Sequence, residues 1–148
     1  MALSITHSES FPSAAVAPKT AIRGSRAALW TGRVLTGLAS TFLIVDGAMK
    51  LFKPQVVVEA TRELGYPEAS IVGIGLTLLA STILYLIPRT SVLGAILLTG
   101  YLGGAVATHV RVGAGAFNVL FPVLVGTIVW AGLTLRNDRV RCAILNQH

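Results

Sequence analysis

Asp46 and Lys50 stand four residues apart in the apolar stretch VLTGLASTFLIVDGAMKLF. At helical spacing they share a face and can pair. A charge at the centre of a membrane helix costs on the order of 2.5–3.5 kcal/mol, so it needs a partner or a purpose. His109 and Arg111 close a second apolar run, SVLGAILLTGYLGGAVATHVRVG, with Tyr101 near its middle. Glu59 and Asn118 lie in the short polar intervals nearby. Asp46 could orient or deprotonate the His109 imidazole, which makes these two the candidate catalytic residues. Lys50 and Arg111 could hold an anionic or carbonyl-bearing ligand. The ligand-binding candidates are thus Asp46, Lys50, Glu59, Tyr101, His109, Arg111 and Asn118. Each has a plainer reading: a local Asp46–Lys50 ion pair, an Arg111 that snorkels to phosphate headgroups, a His109 that caps a helix end, and a Tyr101 that packs in a core.

Other chemistries lack their residues. His7 and His148 stand in the terminal segments, so His109 with scattered carboxylates is too small a set for zinc, and no metal is expected. The single cysteine, Cys142, forms no CxxC pair and reads as an ordinary thiol or an S-acylation site at a membrane edge. No serine-nucleophile motif is present. Gly73-x-Gly75 sits inside an apolar run rather than at the strand-to-helix turn a phosphate loop requires.

The positioning elements follow from composition. Over 148 residues, 53% are hydrophobic and only 12% charged, with mean hydropathy +0.73. Soluble domains carry about a quarter charged residues. The net charge of +6 is spread over termini and loops without interleaved aromatics, which excludes a nucleic-acid surface and points to topology and anionic lipid. Four apolar runs, at about 34–52, 70–87, 91–110 and 119–135, are each long enough to cross about 30 Å of hydrocarbon, where backbone groups must be satisfied as helix. The expected fold is therefore all-α, a transmembrane four-helix bundle over 29–142. Pro54 can start and Gly65 can stop a short amphipathic helix between spans one and two, with Val57, Ala60, Thr61 and Leu64 on one face. A plain loop is the alternative there. Residues 1–28 read as a disordered tail, lacking the apolar core of a signal peptide but compatible with a transit peptide, and 143–148 as a short C-terminal tail.

Eight Lys and Arg fall on the side of the two termini against four on the other, which places both termini in the cytoplasm. Asp46, Lys50, Glu59, His109, Arg111 and Asn118 then gather at the opposite face. Gly100-x-x-x-Gly104, extended by Gly103 and Ala107, suits close helix packing, within the bundle before dimerisation. Trp30, Tyr66, Tyr85 and Trp130 are placed as interfacial anchors.

The motifs DGAMKLFKP (46–54), ELGYPE (63–68), YLIPRT (85–90), LGAILLTGYLGGAVATHVRVG (93–113) and LFPV (120–123) resemble the DoxX-like family of small bacterial membrane proteins, over about 32–139. That resemblance implies a four-helix protein of the bacterial inner membrane. It also implies a link to redox assemblies, because the family name comes from a subunit associated with thiosulfate:quinone oxidoreduction. The absence of a cysteine pair argues against sulfur handling. The leading expectation is a non-catalytic component of a membrane assembly, with a redox partner protein and no cofactor of its own. The alternative is a quinone- or lipid-binding protein or enzyme using the polar cluster. A small transporter ranks last, since spans two and four carry no charged side chain.

Overall fold

The computed structural model describes residues 26–145, so the expectations for the extreme N-terminus and for the last three residues lie outside the described residues. Among those residues the chain is helical throughout, in six segments: α1 (Arg26–Phe52), α2 (Gln55–Glu63), α3 (Ser70–Leu86), α4 (Ser91–Arg111), α5 (Ala116–Arg136) and α6 (Asp138–Leu145). α1, α4 and α5 are long and apolar enough to cross a membrane. α3, at 17 residues, is about 25 Å long at 1.5 Å per residue and completes the bundle. The protein is a multi-pass membrane protein. α1 starts at Arg26, well before the apolar run at 34, and α6 was not foreseen from composition.

The four long helices form a ring in which α1 packs on α3 and α5, and α4 packs on the same two. Neighbours are antiparallel, Gly47 meeting Gly75 while Thr36 meets Tyr85, and Gly32 meeting Arg136, so one end of the bundle collects the C-termini of α1 and α4 with the N-termini of α3 and α5. The core runs through Ala39, Leu43, Leu78, Tyr85, Ala95, Leu98, Val129 and Leu133. Outward positions such as Leu38, Leu76, Ile96 and Leu124 are equally apolar and exposed, which only a lipid surrounding makes stable.

The far end of the bundle is tightly closed around Tyr85, which is 0% exposed. Its hydroxyl donates to Val129 O at 2.9 Å and lies 3.2 Å from Thr36 Oγ1. A phenol has one hydrogen, so Thr36 is the donor in the second bond. Arg136 donates to Tyr85 O at 2.6 Å and covers the ring at 4.8 Å. Tyr85 is therefore a buried three-helix fastener and not an interfacial anchor. Trp130, half-buried, donates Nε1 to Thr99 Oγ1 at 2.9 Å, joining α5 to α4.

The expectation that Gly100, Gly103, Gly104 and Ala107 form the packing face is corrected. A Cβ at any of the three glycines would meet nothing within 4 Å, and Ala107 is exposed. Close approach occurs instead at Gly47 and Gly75, where α1 crosses α3, at Gly132 and Gly32 between α5 and α1, and at Gly94 beside the α3–α4 turn. A Cβ on Gly94 would stand 2.1 Å from Tyr85 N.

Candidate functional site

At the end opposite Tyr85 the ring is looser. α1 stops at Phe52, and Lys53 takes the left-handed conformation (φ 48) before Pro54. Pro54 disfavours helix in the residue before it, and it then opens α2, as its N-terminal position predicts. α2 ends where Gly65 (φ 79) lets Gly65 N and Tyr66 N bond back to Arg62 O and Thr61 O. The buried side of α2 is Val57, Thr61 and Leu64, close to the expected face, although Ala60 turns outward. Glu59, Arg62 and Glu63 are exposed.

Thr61 of α2, Leu64 and Tyr66 border a partly open cavity of about 440 Å³ lined by all four long helices. That size falls within the range of small-molecule pockets. Its apolar wall is formed by Phe42, Leu43, Ile71, Ile74, Phe121 and Val125 among others. Phe42 and Phe121 meet edge to face at 5.4 Å. The polar wall is made by Asp46, Lys50, Thr61, Tyr66, Tyr101, Thr108 and His109. Pro122 lies inside α5 and also lines the cavity. With no N–H, it deprives the Asn118 carbonyl of its i+4 donor.

Lys50 Nζ donates to Asp46 Oδ1 at 2.6 Å, with side-chain exposures of 19% and 38%. Thr108 donates to Gly104 O, so Tyr66 is the donor in its 3.0 Å bond to Thr108. Arg111 donates to Leu64 O at 2.7 Å and its guanidinium lies 5.8 Å from the Tyr66 ring centroid. These contacts hold the α2–α3 connection against the end of α4. His109 is different: its Nδ1 is buried with no hydrogen-bond partner. The Tyr101 hydroxyl also has no partner among the described residues, although the residue lies in mid-span.

Asp46, Lys50, Tyr101 and His109 are thus brought to one cavity, from α1 and α4. Glu59 and Asn118 stay exposed outside it. Arg111 is bonded to the Leu64 carbonyl and does not line the cavity. Asp46 and His109 share the cavity without an ion pair between them, so Asp46 orients Lys50 and not the imidazole. Thr61, Tyr66, Thr108 and Pro122 complete the wall and were missed. The Pro67 turn was readable as a helix start, but nothing in the spacing shows that Tyr66 folds back onto Thr108. Among the described residues no group of three or more His, Cys, Asp or Glu is placed for a metal ion.

The sequence model of the DoxX-like family matches residues 34–132, a span that includes every residue lining the cavity. No curated protein and no solved structure matches the chain.

Proposed function

The chain belongs to the DoxX-like family, and we propose that its task in the membrane is to bind a lipid-soluble molecule with a polar head, a quinone or a membrane lipid, in the cavity under α2. The observation that carries this reading is the mainly apolar cavity itself, with the His109 imidazole and the Tyr101 side chain on its polar wall. The Tyr101 hydroxyl, with no partner among the described residues, offers a free donor and acceptor there. Gly100 and Gly104 border the cavity with open space where a side chain would stand, so the α4 wall is thin toward lipid and gives a route from the bilayer. The polar groups form no nucleophile–base pair, and the reading is of binding rather than catalysis. The test is native mass spectrometry of protein extracted with its lipids: a retained adduct, lost in His109→Ala with melting unchanged, is expected. Bare protein under mild extraction would count against it.

A second reading, a subunit of a larger redox-linked assembly, draws on the open face of Gly100, Gly103, Gly104 and Ala107, which no part of this bundle covers. Small residues let a further membrane helix approach closely. A second polypeptide that co-purifies, and is released by Gly103→Leu, would establish it. We infer that both termini face the cytoplasm, a reading supported by the excess of Lys and Arg on their side, and that the membrane is a bacterial inner membrane, a reading supported by the family.

A further inference from the structure

We infer that the head of the molecule taken by this cavity is uncharged: a neutral hydrogen-bonding amphiphile, such as a quinone or a monoacylglycerol, and not an anionic lipid or a fatty acid. The inference rests on the reading of the cavity as a binding site and narrows its ligand.

The charges decide it. Of the residues lining the cavity only Asp46 and Lys50 carry full charge, and they face each other at 2.6 Å. Arg111, which by sequence offered a second cation, is turned to Leu64 O and the Tyr66 ring and does not line the cavity. The helix ends are matched as well. The C-termini of α1 and α4 meet this end together with the N-termini of α3 and α5, so the partial charges of the helix ends are two of each sign. The cavity is therefore balanced. A charged head would enter it without a counter-charge, and in apolar surroundings an unpaired ion is strongly disfavoured. Lys50 has further N–H donors, but an anion that accepts from them joins Asp46 around a single cation and leaves the cavity with net negative charge.

What the wall does offer suits a neutral head. Imidazole presents one donor and one acceptor nitrogen, and a phenol both donates and accepts. The Tyr101 hydroxyl and the His109 imidazole stand eight residues apart on α4, about 12 Å along its axis at 1.5 Å per residue. A carbonyl or hydroxyl can bond to either. The chain or ring behind the head then lies along Phe42, Phe121, Leu43 and Val125.

The experiment compares four probes of equal tail length on purified protein in neutral detergent: a benzoquinone, a monoacylglycerol, an alkyl phosphate and an alkyl ammonium. Binding is read by native mass spectrometry over a titration of each probe. On the wild-type protein both neutral probes are expected to bind about tenfold or more tighter than the phosphate, a difference equivalent to about 1.4 kcal/mol. Asp46→Asn unpairs Lys50 and is expected to raise phosphate affinity above that of the neutral probes. Lys50→Met leaves the carboxylate alone and is expected to admit an alkyl ammonium probe instead, which keeps the test open if Asp46→Asn does not fold. A wild-type preference for the phosphate, or a preference that neither charge change moves, overturns the inference while leaving the cavity a binding site. Failure of every probe to bind overturns both.

Discussion

Replacing Gly94 with alanine and, separately, Gly103 with alanine gives a sharp test of which face of α4 meets protein. At Gly94 the new Cβ would lie 2.1 Å from Tyr85 N, 2.4 Å from Tyr85 Cα and 2.7 Å from Leu84 C. These are backbone atoms of α3, so no side chain can turn away. Restoring ordinary contact at 3.4 Å requires a shift of about 1.3 Å at the α3–α4 turn. The same shift disturbs Tyr85, whose hydroxyl bonds to Val129 O and Thr36 hold three helices together. Overpacking of well-packed sites costs about 1–3 kcal/mol, and a backbone clash belongs at or above the upper end. At Gly103 the Cβ meets nothing within 4 Å, and exchange of glycine for alanine inside a helix stabilises by about 0.5–1 kcal/mol. The two variants should differ by about 4 kcal/mol in SDS-induced unfolding from mixed micelles, followed by circular dichroism. Equal midpoints, or a Gly103→Ala loss as large as that of Gly94→Ala, would refute this assignment of the packing face.

Tyr85→Phe removes two interhelical hydrogen bonds while keeping the ring; at about 0.6 kcal/mol each in a bilayer, the same unfolding assay should register a loss of about 1 kcal/mol. Gly104→Leu should slow or abolish uptake of a quinone probe from micelles with the melting temperature kept, because its site borders the cavity and lacks neighbours; unchanged uptake would close that route. Glu59→Gln and Asn118→Ala should leave probe affinity as it is, whereas Tyr101→Phe should weaken it about five- to tenfold, the worth of one hydrogen bond. Cys142, exposed and the sole cysteine, should react with a membrane-impermeant maleimide only in inside-out vesicles; labelling of right-side-out vesicles would invert the topology.

Composition and run length alone determined that this chain is a membrane helix bundle. Scarce charge, four apolar runs and the absence of water to satisfy an irregular backbone leave no other solution. Local spacing was equally legible. Asp46 and Lys50 pair because four residues make one turn, and α2 lies between Pro54 and Gly65 because those residues start and stop helices. Only the tertiary structure decided which side of each helix faces protein. In water a polar stripe marks the outer face, but lipid accepts Leu38 or Ile96 as readily as the core accepts Leu43 or Leu98, so hydropathy is silent on direction. That silence placed Tyr85 at an interface when it is the most enclosed ring in the bundle. It also assigned packing to Gly100 and Gly104 when crossings fall at Gly47, Gly75, Gly94 and Gly132. Arg111 stands outside the cavity for the same reason: its partner, the Leu64 carbonyl, is 47 residues away in sequence and has no side-chain signature. The ends of antiparallel helices meet only when the bundle closes, and that closure is what makes a cavity of Asp46, Lys50, Tyr101 and His109.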